Sequence, residues 1–222
     1  MSHFDLVVHG GLVFDGRGNP PKIADVAIQD GVIAAVSELP LPVDVAGRRI
    51  DARGAWVTPG FIDFHTHYDV EVEVAPTLSE SLRHGVTTVT LGSCSIGATL
   101  GTPEEIADIF CRVEAVPRPQ TLEILNARKS WSNFAEYFDH LSTLPLGPNV
   151  TAFVGHSNLR IATMGFRRAV QREVKPTRAE VQAMERLLEE GLDAGYLGMS
   201  IQTLPWDKLD GDVHPGHPLP SY

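Results

Sequence analysis

The sequence is short of positive charge: 18 Lys and Arg stand against 28 Asp and Glu, for a net charge of −10 at pH 7 over 222 residues. The cations are scattered singly, so the chain lacks the basic stripe that a phosphate backbone or an anionic membrane surface would require. No apolar run is long enough for a membrane span or a signal peptide, and Met1-Ser2-His3-Phe4 carries no basic start. We therefore expect a cytoplasmic protein with no nucleic-acid or membrane partner. Cysteine is scarce, with Cys94 and Cys111 alone; in an intracellular chain such a pair is expected to be reduced thiols. No glycine-rich phosphate loop follows the first strand, and no repeat of fixed period is present. What remains is a globular composition, 43% apolar, long enough to bury roughly 70% of its unfolded surface in one large core or two small domains.

Up to about residue 58 the pattern is one of short strands. Phe4, Leu6 and Val8 alternate with other residues, and Val26-Ala27-Ile28 and Val32-Ile33-Ala34 flank Asp30-Gly31, a two-residue hairpin signal. After the turn at Thr58-Pro59-Gly60, strands and helices alternate. Strands are expected at Phe61–Phe64, Val86–Leu91, Val150–Val154 and Tyr196–Ile201. Between them, Thr77-x-x-Glu80 is expected to cap a short helix closed by Gly85, and Thr102-Pro103-Glu104-Glu105 opens a helix with Ile106, Ile109, Phe110 and Val113 on one face. Trp131, Phe134, Phe138 and Leu141 suggest another helix, and Thr177-x-x-Glu180 a last one carrying Val181, Met184, Leu188 and Leu192 inward, with Gly195 as its stop. Crossover connections of this kind imply parallel pairing, hence α/β: a doubly wound sheet or a (β/α) barrel.

His65-Thr66-His67 follows the strand Phe61–Phe64. Residues two apart in a strand face the same way, roughly 6.5–7 Å apart, so both imidazoles can converge on one metal ion. Nine histidines give about 0.4 such pairs by chance, so the spacing is a weak motif until its place at a strand's C-terminal end is counted. Cys94 lies in Gly92-Ser93-Cys94-Ser95-Ile96-Gly97, just past the next strand, where a thiolate would suit Zn²⁺ beside His65 and His67. Cys111, on an amphipathic helix, reads as a buried small apolar residue. His214 and His217 sit in a Pro/Gly-rich tail and are given no role; Trp206 and Tyr222 read as exposed loop aromatics.

Asp5–Gly11, Val57-Thr58-Pro59-Gly60-Phe61-Ile62-Asp63-Phe64-His65-Thr66-His67 and Gly85–Val89 resemble the opening of the amidohydrolase superfamily. Gly92–Gly97, Val154-Gly155-His156-Ser157-Asn158-Leu159-Arg160 and Gly195–Ser200 resemble its D-aminoacylase (N-acyl-D-amino-acid deacylase) branch, along essentially the whole chain. The resemblance implies a small, incomplete β-sandwich over residues 1–58 and, over 59–222, the N-terminal half of a metal-dependent (β/α)8 TIM barrel. It implies His65, His67 and Cys94 as zinc ligands, and the absence of lysine between Lys175 and Lys208 agrees with a branch that uses a cysteine in place of the superfamily's carboxylated lysine. Asp69 matches the acidic residue of a His-x-His-x-Asp pattern; it, Asp63 and His156 are expected to support the ligands or face substrate. No catalytic residue is assigned within the chain. The implied activity is zinc-dependent hydrolysis of a linear amide, deacylation of a small N-acyl-D-amino acid, with the proton-shuttling carboxylate beyond residue 222. A C-terminal half or self-association would then be needed. The alternatives are an inert metal-binding or assembly fragment, and a cyclic-amide hydrolase of the hydantoinase or dihydroorotase kind.

Overall fold

The computed structural model describes residues 4–220, so the expectations for Met1, Ser2, His3 and Tyr222 lie outside the described residues. Packing divides the chain into two units, one ending at Gly60 and the other starting at Phe61.

The first unit is a single five-stranded sheet. Its strands are β1 (Phe4–Val13), β2 (Lys22–Gln29), β3 (Val32–Ser37), β4 (Ala46–Asp51) and β5 (Trp56–Val57). The order is β3-β2-β1-β4, with β5 continuing beside the far end of β1. β1 and β2 run antiparallel, as do β2 and β3, while β4 and β5 lie parallel to β1. Asp30 (φ 51°) and Gly31 (φ 75°) form the tip between β2 and β3, the pair of positive φ angles that a two-residue hairpin matched to strand twist requires. Alternation in β1 is out of phase with the expectation: Val7 is fully buried, whereas Phe4, Leu6 and Val8 are half-buried. The register shift between Val8 and Gly11 breaks a strict two-residue period. The sandwich's second layer is not found among the described residues of this unit, and Ile23, Val32, Ile33, Val36 and Trp56 are exposed.

In the second unit β6 (Phe61–Asp63), β7 (Val86–Leu91) and β8 (Asn149–Ala152) form a parallel sheet in that order. After Phe153 the chain continues as β9 (Val154–Gly155), which pairs in parallel with β10 (Met199–Ser200). One expected strand therefore serves two sheets, and only two residues of the expected strand Tyr196–Ile201 are in a ladder. The helices are α1 (Ser79–Arg83), α2 (Pro103–Phe110), α3 (Arg118–Arg128), α4 (Phe134–Thr143), α5 (His156–Met164), α6 (Phe166–Ala169) and α7 (Arg178–Asp193).

Capping boxes start α2 at Thr102 and α7 at Thr177, each with a glutamate three residues on returning the bond. The same signal at Thr77 fails. α1 begins one residue later, with Leu78 in the left-handed region and no side-chain cap. The backbone there is in close tertiary contact: the Gly147 amide donates to the Pro76 carbonyl at 3.2 Å, and a Cβ at Gly147 would stand 2.0 Å from the Thr77 carbonyl oxygen. Trp131 precedes α4 rather than lying on it, and Val181 and Leu192 of α7 are exposed. Gly191 instead faces the sheet, where a Cβ would meet Val154 Cγ2 at 2.6 Å.

Two apolar clusters hold this unit. One joins Leu91, Ile106, Leu125, Trp131, Phe134, Tyr137 and Leu159; the other joins Ile96, Ile109, Phe110, Ile161, Leu209 and Leu219. Each large side chain so buried contributes about 1.5–3 kcal/mol. Cys111 is buried, as expected. Trp206 is exposed. Among the described residues no helix is long and apolar enough to cross a membrane.

Candidate metal centre

The chain beyond β6 carries His65, Thr66 and His67, and alternation separates their tasks. Thr66 is buried and its hydroxyl donates to the Thr90 carbonyl of β7 at 2.7 Å. That bond pins the segment to the neighbouring strand and turns its two histidines the other way. Cys94 enters from the end of β7. The candidate ligand atoms of His65, His67 and Cys94 all lie within 4.8 Å of one another, with His65 Nε2 3.1 Å from Cys94 Sγ and the two imidazole centroids 5.3 Å apart. Atoms bound to one tetrahedral zinc stand roughly 3–4 Å apart, given Zn–N and Zn–S bonds of about 2.0–2.3 Å. Two imidazoles and a thiol are also the donor types that zinc prefers over the oxygen-seeking cations. The residues present fit that ion.

The electrostatics favour a cation. Burial, helped by the adjacent His65, pushes His67 down to about 4, so its ring is neutral and has a lone pair to give. Burial, then Glu114 and Asp207, raises the Cys94 thiol; a metal ion would offset that cost by favouring the thiolate. Glu114 itself is driven up to about 7 by burial and by Asp69 and Asp207. Its Oε1 lies 3.3 Å from His67 Nδ1, an ion-pair distance without hydrogen-bond alignment, since that buried nitrogen has no hydrogen-bond partner.

Similarity to known proteins runs along most of the chain. No protein-family model matches the chain. An uncharacterized protein of Mycobacterium tuberculosis is 49% identical over 98% of the chain and 36% of its own length. N-acyl-D-glutamate deacylase of Alcaligenes xylosoxydans xylosoxydans is 38% identical over 88% of the chain and 36% of the relative. The crystal structure of N-acyl-D-glutamate deacylase from Bordetella bronchiseptica, complexed with zinc and a phosphonate inhibitor, superposes with a TM-score of 0.74 at 34% identity, covering 90% of this chain and 38% of that one. This chain belongs to the D-aminoacylase branch of the amidohydrolases. It has the mixed α/β fold of that family's N-terminal region and spans about a third of the length of the curated relatives it matches.

The other expected residues of this family member take different places. Asp69 is buried, and both its oxygens stand 3.2 Å from the Gly92 amide, from which they accept. Burial raises it to about 6 against that bonding. It braces the turn before Cys94. Asp63 accepts from the His65 amide at 3.1 Å and so shapes the backbone there. His156 opens α5 outside the three-residue cluster, with its Nδ1 buried and unpartnered. His214 stacks on Phe166, 5.2 Å between centroids. Glu114 was not expected: it lies in the turn after α2, 47 positions from His67, and no local motif links them.

Proposed function

We propose that the chain supplies the first metal ligands, His65, His67 and Cys94, of a zinc-dependent hydrolase that removes the acyl group from N-acyl-D-amino acids. The observation that carries the reading is the convergence of two imidazoles and one thiol in a chain 38% identical to an N-acyl-D-glutamate deacylase. Zinc held there would supply an activated water and polarise the amide carbonyl. The chain's own part is to hold and orient. Thr66 fixes the histidine segment, Asp69 fixes the cysteine turn, and Glu114 faces the imidazole edge of His67. The finer architecture we propose is a TIM-barrel half, built on β6, β7, β8 with β9, and β10, after a small β-domain ending near residue 58. We assign the protein to the cytoplasm on the two free thiols, Cys94 and Cys111, and expect a C-terminal half or self-association to complete the site.

The test is zinc content and hydrolysis of a panel of N-acyl-D-amino acids, with Cys94→Ala and His65→Ala as variants. Each variant is expected to lose more zinc affinity than the roughly 10–100-fold that removing an outer-sphere partner brings. Zinc binding by Cys94→Ala equal to that of the parent chain would overturn the reading.

A further inference from the structure

Cys94 sits in a turn that an unaided chain would not adopt. Gly92 (φ 72°), Cys94 (φ 51°) and Ser95 (φ 72°) all occupy the left-handed region, which costs an L-residue about 1–2 kcal/mol per position. Gly92 has to be glycine, because a Cβ would lie 2.2 Å from the Phe153 carbonyl oxygen. The two non-glycine residues need an external hold. Ser200, on β10, supplies one from more than a hundred positions away. Its hydroxyl donates to the Gly92 carbonyl and accepts from the Ser95 amide at 3.0 Å. A single hydroxyl thus bridges both ends of the turn and uses its one proton and a lone pair in doing so. Ser95 Oγ in turn lies 2.7 Å from Ser157 Oγ and accepts from the Ser157 amide at 2.7 Å, tying the same turn to α5.

We propose that Ser200 is the positioning residue that clamps the Gly92–Ser95 turn in the conformation presenting Cys94 Sγ to His65 and His67. This rests on the metal-site reading above. It adds that the ligand geometry depends on a hydroxyl on β10 and not only on β7, the strand preceding the cysteine. Ser200→Ala removes both bonds and leaves the turn held only through Asp69 and Ser157, and Ser200→Thr keeps the hydroxyl.

The experiment uses the full chain. In metal-free protein the alkylation rate of Cys94 is measured with the buried Cys111 as internal reference; in protein titrated with Co²⁺ the thiolate-to-cobalt charge-transfer band reports Cys94 as a ligand. Ser200→Ala is expected to alkylate faster and to bind Co²⁺ more weakly, each by roughly tenfold, with a diminished charge-transfer band, and Ser200→Thr is expected to restore all three. Parental alkylation and Co²⁺ binding in Ser200→Ala would overturn the proposal. Absence of the band in the parent chain would count against the metal reading instead, while the alkylation comparison would still decide the clamp. Should Ser200→Ala fail to fold, amide exchange in the parent chain decides: a Ser95 amide held by Ser200 exchanges slowly, and exchange as fast as in exposed loops overturns the proposal.

Discussion

Among the described residues of the unit ending at Gly60 the buried apolar side chains are Val7, Ala24, Val26, Ala27 and Ala52, none larger than valine, whereas the unit from Phe61 buries Phe110, Leu125, Trp131, Phe134 and Tyr137. The sheet's counterpart to that core is polar. Asp25, buried on β2, accepts from His9 Nδ1 and the Gly10 amide at 2.8 Å each, from the Leu41 amide at 2.9 Å and from Arg49 Nη2 at 3.4 Å. One carboxylate therefore joins β1, β2, β4 and the loop before β4. Small sheets bury too little apolar surface to rely on it alone, and a fully bonded buried charge fixes strand positions at the cost of being intolerant to loss of any partner. In the larger unit apolar packing does that work, and its polar bonds are free to shape the turn around Cys94.

The strongest test of that contrast is Phe110→Ala. Phe110 is buried in the second cluster and meets the His67 ring edge-on, 6.3 Å between centroids. Its removal is expected to cost about 3–5 kcal/mol, seen as faster amide exchange across the unit from Phe61 and not in the sheet. Protection lost equally in both units would break the comparison.

Asp25→Asn comes next, with about 3 kcal/mol expected from breaking the buried ion pairs and the exchange pattern reversed, confined to residues 4–60. Its pH dependence sharpens the point. Burial raises the Asp25 carboxyl, but the Leu41 and Gly10 amides and His9 outweigh it and leave it below 3.8. A carboxyl depressed in the folded state stabilises fully above its unfolded value, and the stabilisation is lost as pH falls through the folded one. The parent sheet is thus expected to lose protection on acidification below about pH 4, while the Asp25→Asn sheet, already weakened, loses less over the same range. Equal acid sensitivity in the two proteins would remove Asp25 from its assigned role.

Gly31→Ala is the mildest. A Cβ there meets nothing within 4 Å, yet φ is +75°, so about 1–2 kcal/mol of backbone strain is expected without any steric clash. A midpoint shift in thermal unfolding confined to the sheet would measure it, and an unchanged midpoint would show that the hairpin tip relaxes freely.

Much of this was legible along the chain because it was written locally. The hairpin tip at Asp30-Gly31 and the boxes at Thr102 and Thr177 depend on residues within four positions of one another. His65 and His67 were legible from their spacing and place after a strand, and Cys94 from the next strand end. The helix α3 was not, because Arg118-Pro119-Gln120 and Glu123 leave it without a clear apolar stripe. α5 follows Gly155, which has no side chain to cap it and so leaves its start unmarked. The box at Thr77 was a false signal.

By itself, then, the sequence placed two imidazoles and a thiol just past neighbouring strand ends, since that is a matter of composition and order. Tertiary structure alone decided what holds them. Asp69 on Gly92, Ser200 across Gly92 and Ser95, and Glu114 beside His67 join positions 23 to 108 residues apart. No local period encodes such pairs: they exist only once parallel strands have brought their ends together, because a hydrogen bond depends on distance in space and a sequence pattern on distance along the chain.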